Sequence, residues 1–139
     1  MTTAIGLTAT SAALFDLFQD TALQTALGGR IGDTLPENQP RPCAMWTLTP
    51  SNQSGLGASN GPYQMDLRTY VWSDLGSLTE AQSINDQLIG LLSDAALTIT
   101  GFTQCGLVRW EETLPPMIAE LNGIQVHEVD SNFTLWVQQ

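Results

Sequence analysis

The sequence predicts an α+β domain: a mainly antiparallel sheet with two principal helices packed on one face. Three observations carry that expectation. Apolar patterning follows the order helix, strands, helix, strands. Between Tyr63 and Trp72 the residues alternate without a break. Tyr63, Met65, Leu67, Thr69 and Val71 face one way; Gln64, Asp66, Arg68, Tyr70 and Trp72 face the other. Further on, Ala81, Ile84, Leu88, Leu91, Leu92 and Ala95 fall on one helical face, the spacing of an amphipathic helix lying on a sheet. With 139 residues, 42% of them hydrophobic, the chain has the material for one core without disulfides or a structural metal. No repeat or linker divides residues 1–139, so one domain is expected.

Taken in order, Thr10 to Leu27 reads as the first helix. Leu14, Leu17 and Phe18 share a face, and Leu23 and Leu27 continue a stripe that drifts around the axis. Gly28-Gly29 ends it, as left-handed C-caps do. Arg30-Ile31-Gly32 is a short extended piece, and Pro36, Pro40 and Pro42 make Thr34 to Pro42 a loop. Cys43 to Thr49 reads as a buried strand. Pro50 to Pro62, rich in glycine and free of charge, reads as a long flexible excursion before the Tyr63 strand.

Ser77-Leu78-Thr79-Glu80 has the form of a capping box opening the second helix. Leu97-Thr98-Ile99 is briefly β-like before Gly101. Gln104 to Glu112 reads as one strand that Pro115-Pro116 ends. Gly123 to Val137 reads as a final pair of extended runs. Their alternation changes face between Ile124/Val126 and Phe133/Leu135/Val137, which predicts a bulge or bend near Asp130-Ser131-Asn132.

Charge narrows the function classes. The 4 basic residues, all arginine, stand against 14 acidic ones for a net charge of −10. A nucleic-acid reader needs cationic surface to neutralise phosphates, and docking on anionic lipid needs it too. Both classes are excluded. Only 13% of residues are charged, so much of the polar surface is neutral Thr, Ser, Gln and Asn. Such surface is cheap to desolvate and suits protein contacts. The start of the chain lacks the basic n-region of a signal peptide, and no apolar run approaches the ~20 residues of a membrane span. Synthesis in the cytoplasm is expected. The two cysteines, Cys43 and Cys105, read as thiols packed in strands of a protein made in a reducing compartment, with a single bridge left open.

No catalytic, metal or cofactor site emerges. His127, the single histidine, faces away from Glu128 and Asp130 on a strand, so those carboxylates do not converge on it; it reads as a surface or edge-strand residue. Cys43 or Cys105 as a nucleophile would need His127 brought alongside as base. Glu111-Glu112 points to opposite faces, and Gly55-Leu56-Gly57 lacks the lysine and strand-to-helix context of a phosphate cradle. Trp46, Trp72, Trp110 and Trp136 all fall in expected strands. Trp72 lies on the face opposite the apolar one, suited to a protein contact or to packing beneath a helix or a loop.

A larger pattern joins these pieces. Asp20-x-x-Leu23-x-x-x-Leu27-Gly28-Gly29-Arg30-Ile31 is followed by Pro40-Arg41-Pro42-Cys43-Ala44-Met45-Trp46. Next come Leu67-Arg68-Thr69-Tyr70-Val71-Trp72-Ser73, then Leu78-Thr79-Glu80-Ala81. Last is His127-Glu128-Val129 leading into Phe133-Thr134-Leu135. From roughly Leu14 to Val137 the chain resembles the tail completion, or tail terminator, proteins of long-tailed bacteriophages and phage-derived particles such as gene transfer agents. It departs from them near the end, where Asp130, Ser131, Asn132, Thr134 and Gln138 stand in place of basic residues.

The resemblance implies a ring-forming structural protein rather than an enzyme, with no cofactor. It implies a hexamer at the head-proximal end of the tail that stops tube polymerisation. Its partners would be the tail tube protein and a head-closure or neck protein, with DNA only as cargo through the channel. Residues expected at interfaces are Ser51, Asn52, Gln53, Leu56 and Asn60 in the uncharged loop, and Arg68, Tyr70 and Trp72 on the outer sheet face. Two other roles fit the same residues: another neck ring component, or an acidic domain that binds a cationic peptide.

Overall fold

The drifting apolar stripe of the first segment builds two helices rather than one. The computed structural model describes residues 6–36, 39–53 and 62–138, the side chains of 51–53 excepted. Helix α1 spans Leu7–Leu17 and helix α2 spans Thr21–Leu27. The break falls at Asp20, whose extended ψ of 130° takes it out of the helix and whose Oδ2 accepts the Leu23 N–H at 3.2 Å. Each helix then turns its own apolar residues inward, which a single straight helix with a drifting stripe cannot do. Gly28 closes α2 at φ 58°, the left-handed cap the sequence predicts.

Helix α3, Leu78–Leu92, buries Ala81, Ile84, Leu88 and Leu92 as expected. The expected capping box does not form: the Ser77 side chain makes no cap bond. The backbone has taken its partners, since Glu80 N donates to Ser77 O at 3.1 Å and Ser77 N to Asp74 O at 3.0 Å.

The strands are β1 (Ile31–Gly32), β2 (Cys43–Gln53), β3 (Tyr63–Asp74), β4 (Thr103–Gln104), β5 (Arg109–Thr113), β6 (Met117–Leu121) and β7 (Ile124–Gln138). They form one 7-stranded sheet in the order β1-β2-β3-β7-β4, with β5 and β6 also paired to β7. All pairings are antiparallel except the short β1–β2 contact. The long strand β7 is the hinge of this arrangement. β3 runs along one side of it, while β4, β5 and β6 line the other side end to end.

Several boundaries differ from expectation for local reasons. β2 runs on through Pro50 to Gln53, because it stays paired to β3 where composition suggests loop. The single strand expected over Gln104 to Glu112 is two strands, parted where Gly106 adopts φ 83° and the chain folds back to bond Val108 N to Ala95 O. Leu97–Ile99 is not a strand; the Gln104 side chain bonds Leu97 N and Ala95 O in place of a β partner. β6 went unseen in the sequence because Met-Ile-Ala-Glu-Leu carries no alternation. Asn122 and Gly123, at φ 53° and 81°, form the tight turn joining it to β7.

The bulge or bend expected near Asp130-Ser131-Asn132 is not in β7 itself, which pairs with β3 in unbroken register from Val126 to Val137. The irregularity lies in the partner β5, between Trp110 and Glu112. The apolar residues of β7 change face because the sheet has apolar material on both sides. Val129, Phe133, Leu135 and Val137 join the main core under the helices, whereas Val126 joins Cys43 and Trp72 on the opposite face.

Candidate assembly surface

The helices cover one face of the sheet and leave the other face and both edges available. On that outer face β3 contributes Arg68, Tyr70 and Trp72, as its alternation predicts, and β7 contributes Glu128, Asp130 and Asn132 beside them. Arg68 Nη2 donates to Asp130 Oδ2 at 2.8 Å, and its guanidinium stands 5.3 Å from the Tyr70 ring centre. Tyr70 stacks on Trp72 with centroids 5.8 Å apart, and Trp72 Nε1 donates to Glu128 Oε1 at 2.6 Å. Burial pushes the Glu128 carboxyl above its ordinary range; the Trp72 bond opposes this and the adjacent Asp130 adds to it. The bond to Asp130 holds the Arg68 proton more firmly still.

Trp72 is buried rather than presented: Leu35, Met45, Ala119 and Leu121 pack around its cluster. Arg68 and Tyr70 are half-buried and form the accessible part of the expected β3 contact row. Ser51, Asn52 and Gln53 continue the backbone of β2, and their side chains are not described. Leu56 and Asn60, with the Gly55-Leu56-Gly57 run, lie outside the described residues.

The residues weighed for catalysis do not meet. His127 faces the helix side of the sheet, where its Nε2 accepts the Gly76 N–H at 3.3 Å. It sits in β7 between β3 and β6, so it is not on an edge strand. Cys43 lies on the opposite face, and burial raises its thiol pKa, the reverse of nucleophile activation. Cys105 falls just after β4 rather than within a strand, with Sγ 3.8 Å from Gln138 Oε1. Position 138 is about 35 Å along β7 from His127 at the rise of a strand. Both cysteines are free thiols. Glu111 pairs with Arg109 at 3.3 Å, and Glu112 accepts the Asn132 amide at 3.1 Å. Among the described residues no group of three His, Cys, Asp or Glu is placed to hold a metal ion, and no described helix is long and apolar enough to cross a membrane.

Which strands form the open edges is what sequence reasoning missed. Ladder registers align residues straight across the sheet: Trp46–Thr69–Ser131–Thr113, Thr47–Arg68–Asn132–Glu112, Leu48–Leu67–Phe133–Trp110 and Thr49–Asp66–Thr134–Arg109. β1 covers the outer edge of β2 only at Ala44 and Met45. Beyond them, among the described residues, β2 has no strand on that side. At the far edge β5 and β6 likewise pair only with β7, and Trp110, Met117 and Ile118 are exposed there. An edge strand and a central one carry similar residues, so alternation alone did not separate them.

Comparison with known proteins identifies the setting. The family model described as tail completion protein gp17 matches residues 12–115. The chain belongs to this tail completion family. It is therefore a structural component of a bacteriophage-type virion, acting in completion of the tail. The matched span runs from α1 to the end of β5, so β6 and β7 lie beyond it.

Solved structures agree on the fold. A chain from the virion of a native gene transfer agent particle superposes with TM-score 0.77 at 15% identity, covering 96% of this chain and 98% of that one. A second solved chain matches with TM-score 0.68 at 15% identity over 98% of both. No curated protein sequence matches.

Proposed function

We propose that this tail completion protein assembles as a ring, a hexamer, at the head-proximal end of the tail. There it ends growth of the tail tube and offers the surface that joins the neck of the filled head. DNA passes through the ring without being read. Membership of the tail completion family, through residues 12–115, is the observation that carries this reading. The similarity to a chain of a gene transfer agent virion over nearly the whole length supports it.

The charge of the chain supports the cargo role. Arg30 Nε donates to Pro42 O at 2.9 Å, Arg41 pairs with Asp74 at 2.6 Å, and Arg68 and Arg109 have partners of their own. With the four cations engaged and a net charge of −10, a channel through such a ring repels phosphates and lets DNA slide. Arg68 and Tyr70 form the sheet-face contact in this reading, with Trp72 buried beneath them as support. Ser51, Asn52, Gln53, Leu56 and Asn60 meet the neighbouring ring of the tail. The protein has no catalytic role.

The test is the native mass of the purified chain over a wide concentration range, with negative-stain images, repeated with purified tail tubes. Pore-bearing rings, free or at one end of each tube, are expected. A chain that stays monomeric and leaves tube ends bare would sink the reading. A ring that binds filled heads but ignores tubes would point instead to another neck component.

A further inference from the structure

We infer that neighbouring copies join edge to edge, β5 of one copy against the open stretch Trp46–Thr49 of β2 in the next, so that their sheets run on as one. The inference rests on the ring reading and names the surface that builds it.

Strand direction is the first support. β2, β3, β7 and β5 alternate in direction, so β5 runs opposite to β2. A second copy in the same orientation therefore presents β2 antiparallel to β5, the favourable ladder. Contacts of this head-to-tail kind close into rings when each step rotates.

Level is the second. β1 blocks the β2 edge at Ala44 and Met45, while the open stretch lies in the rows that end at β5. Pro50, which has no N–H to donate, bounds the stretch at its other end.

Side chains are the third. In level contact Trp110 comes beside Leu48 of the next copy and extends the apolar row Leu48–Leu67–Phe133. Arg109, whose side chain is 78% exposed and paired with its near neighbour Glu111, comes level with Thr49 and Asp66 of the next copy. Two strand spacings are about 9.6 Å, within reach of an arginine meeting an aspartate. One row along, Glu112 comes level with Thr47 and Arg68 of the next copy, and the Arg68 Nε is buried without a hydrogen-bond partner among the described residues of its own chain. In a chain with 4 basic and 14 acidic residues, two opposite-charge alignments at one contact are not an expected accident.

The experiment is charge reversal and its rescue, read as assembly by sedimentation and as capping of tail tubes. Arg109→Glu and Asp66→Arg should each weaken assembly by about tenfold or more, and the double variant should recover most of it. Unchanged circular dichroism and urea midpoint confirm folding of each single variant. In a Cys105→Ser background, Thr47→Cys with Glu112→Cys should give disulfide-linked oligomers on oxidation, and neither single change should. Rings that form normally in both reversed variants, a double variant that fails to recover, or missing cross-links would overturn the edge contact and leave the ring standing. Variants that form rings but cannot cap tubes would assign the edge to the tube subunit and overturn the proposal. If the unaltered chain forms no ring, alone or on tubes, the ring reading falls and the contact with it.

Discussion

Arg68 and Asp130 meet diagonally across the β3–β7 ladder, with Nη2 2.8 Å from Oδ2, and they share water unequally: the Asp130 side chain is 1% exposed and that of Arg68 38%. A buried carboxylate depends on its partner far more than a guanidinium that still reaches solvent. Arg68→Met therefore strands a charge and should cost about 3 kcal/mol, whereas Asp130→Asn should cost about 1 kcal/mol. Urea denaturation of the two variants checks the order, and a larger loss for Asp130→Asn would contradict it.

Glu128 sets a pH dependence of opposite sense to that of an ordinary paired carboxylate. Its pKa in the folded chain is raised, chiefly by burial. The native state thus holds this proton more tightly than the unfolded chain, whose glutamates titrate near about 4.3. The associated stability is complete below that value and is lost as pH rises through the folded pKa. Glu128→Gln keeps an acceptor for the Trp72 N–H and removes the loss. The variant should be the more stable at pH 7, by about 1 kcal/mol or less, with its advantage gone below about pH 4. Melting curves from pH 4 to 8 would show it; curves that stay parallel would not fit.

The two helix starts should respond differently to alanine. Asp20 caps α2 through its carboxylate, so Asp20→Ala should cost about 1 kcal/mol. Ser77 makes no side-chain cap bond, so Ser77→Ala should stay within about 0.5 kcal/mol of the parent. Denaturant midpoints at fixed slope measure both.

Core and edge separate in the same way. Leu88 of α3 is fully buried against the sheet, and Leu88→Ala should cost about 3 kcal/mol. Ile118 of β6 is 62% exposed, and Ile118→Thr should leave monomer stability within about 0.5 kcal/mol. Thermal unfolding of the two variants distinguishes a residue that holds the fold from one that does not.

Much of this architecture was legible in the residues themselves. The Tyr63–Trp72 alternation placed Arg68, Tyr70 and Trp72 on the outer face, and the α3 stripe named its buried residues, because each depends on spacing along one segment. What depends on partners was not legible. The first helix divides at Asp20 because packing prefers two axes, and Ser77 loses its cap because backbone groups arrive first. The face change in β7 reflects Cys43 and Trp72, which lie distant in the chain, rather than a local bulge. Which strands lie at the edges of the sheet was not legible for the same reason, since openness is a property of what fails to pair.

β7 also sets the order in which this protein comes into being. Apart from the β2–β3 ladder, β3 on one side and β4, β5 and β6 on the other take their ladder bonds from a strand that follows them in the chain. During synthesis β2 and β3 can pair with each other, but β4, β5 and β6 have no strand to settle on until β7 follows. A half-made chain therefore offers neither a finished core nor a fixed edge. Only a copy whose β7 has left the ribosome has a finished sheet with which to enter a particle.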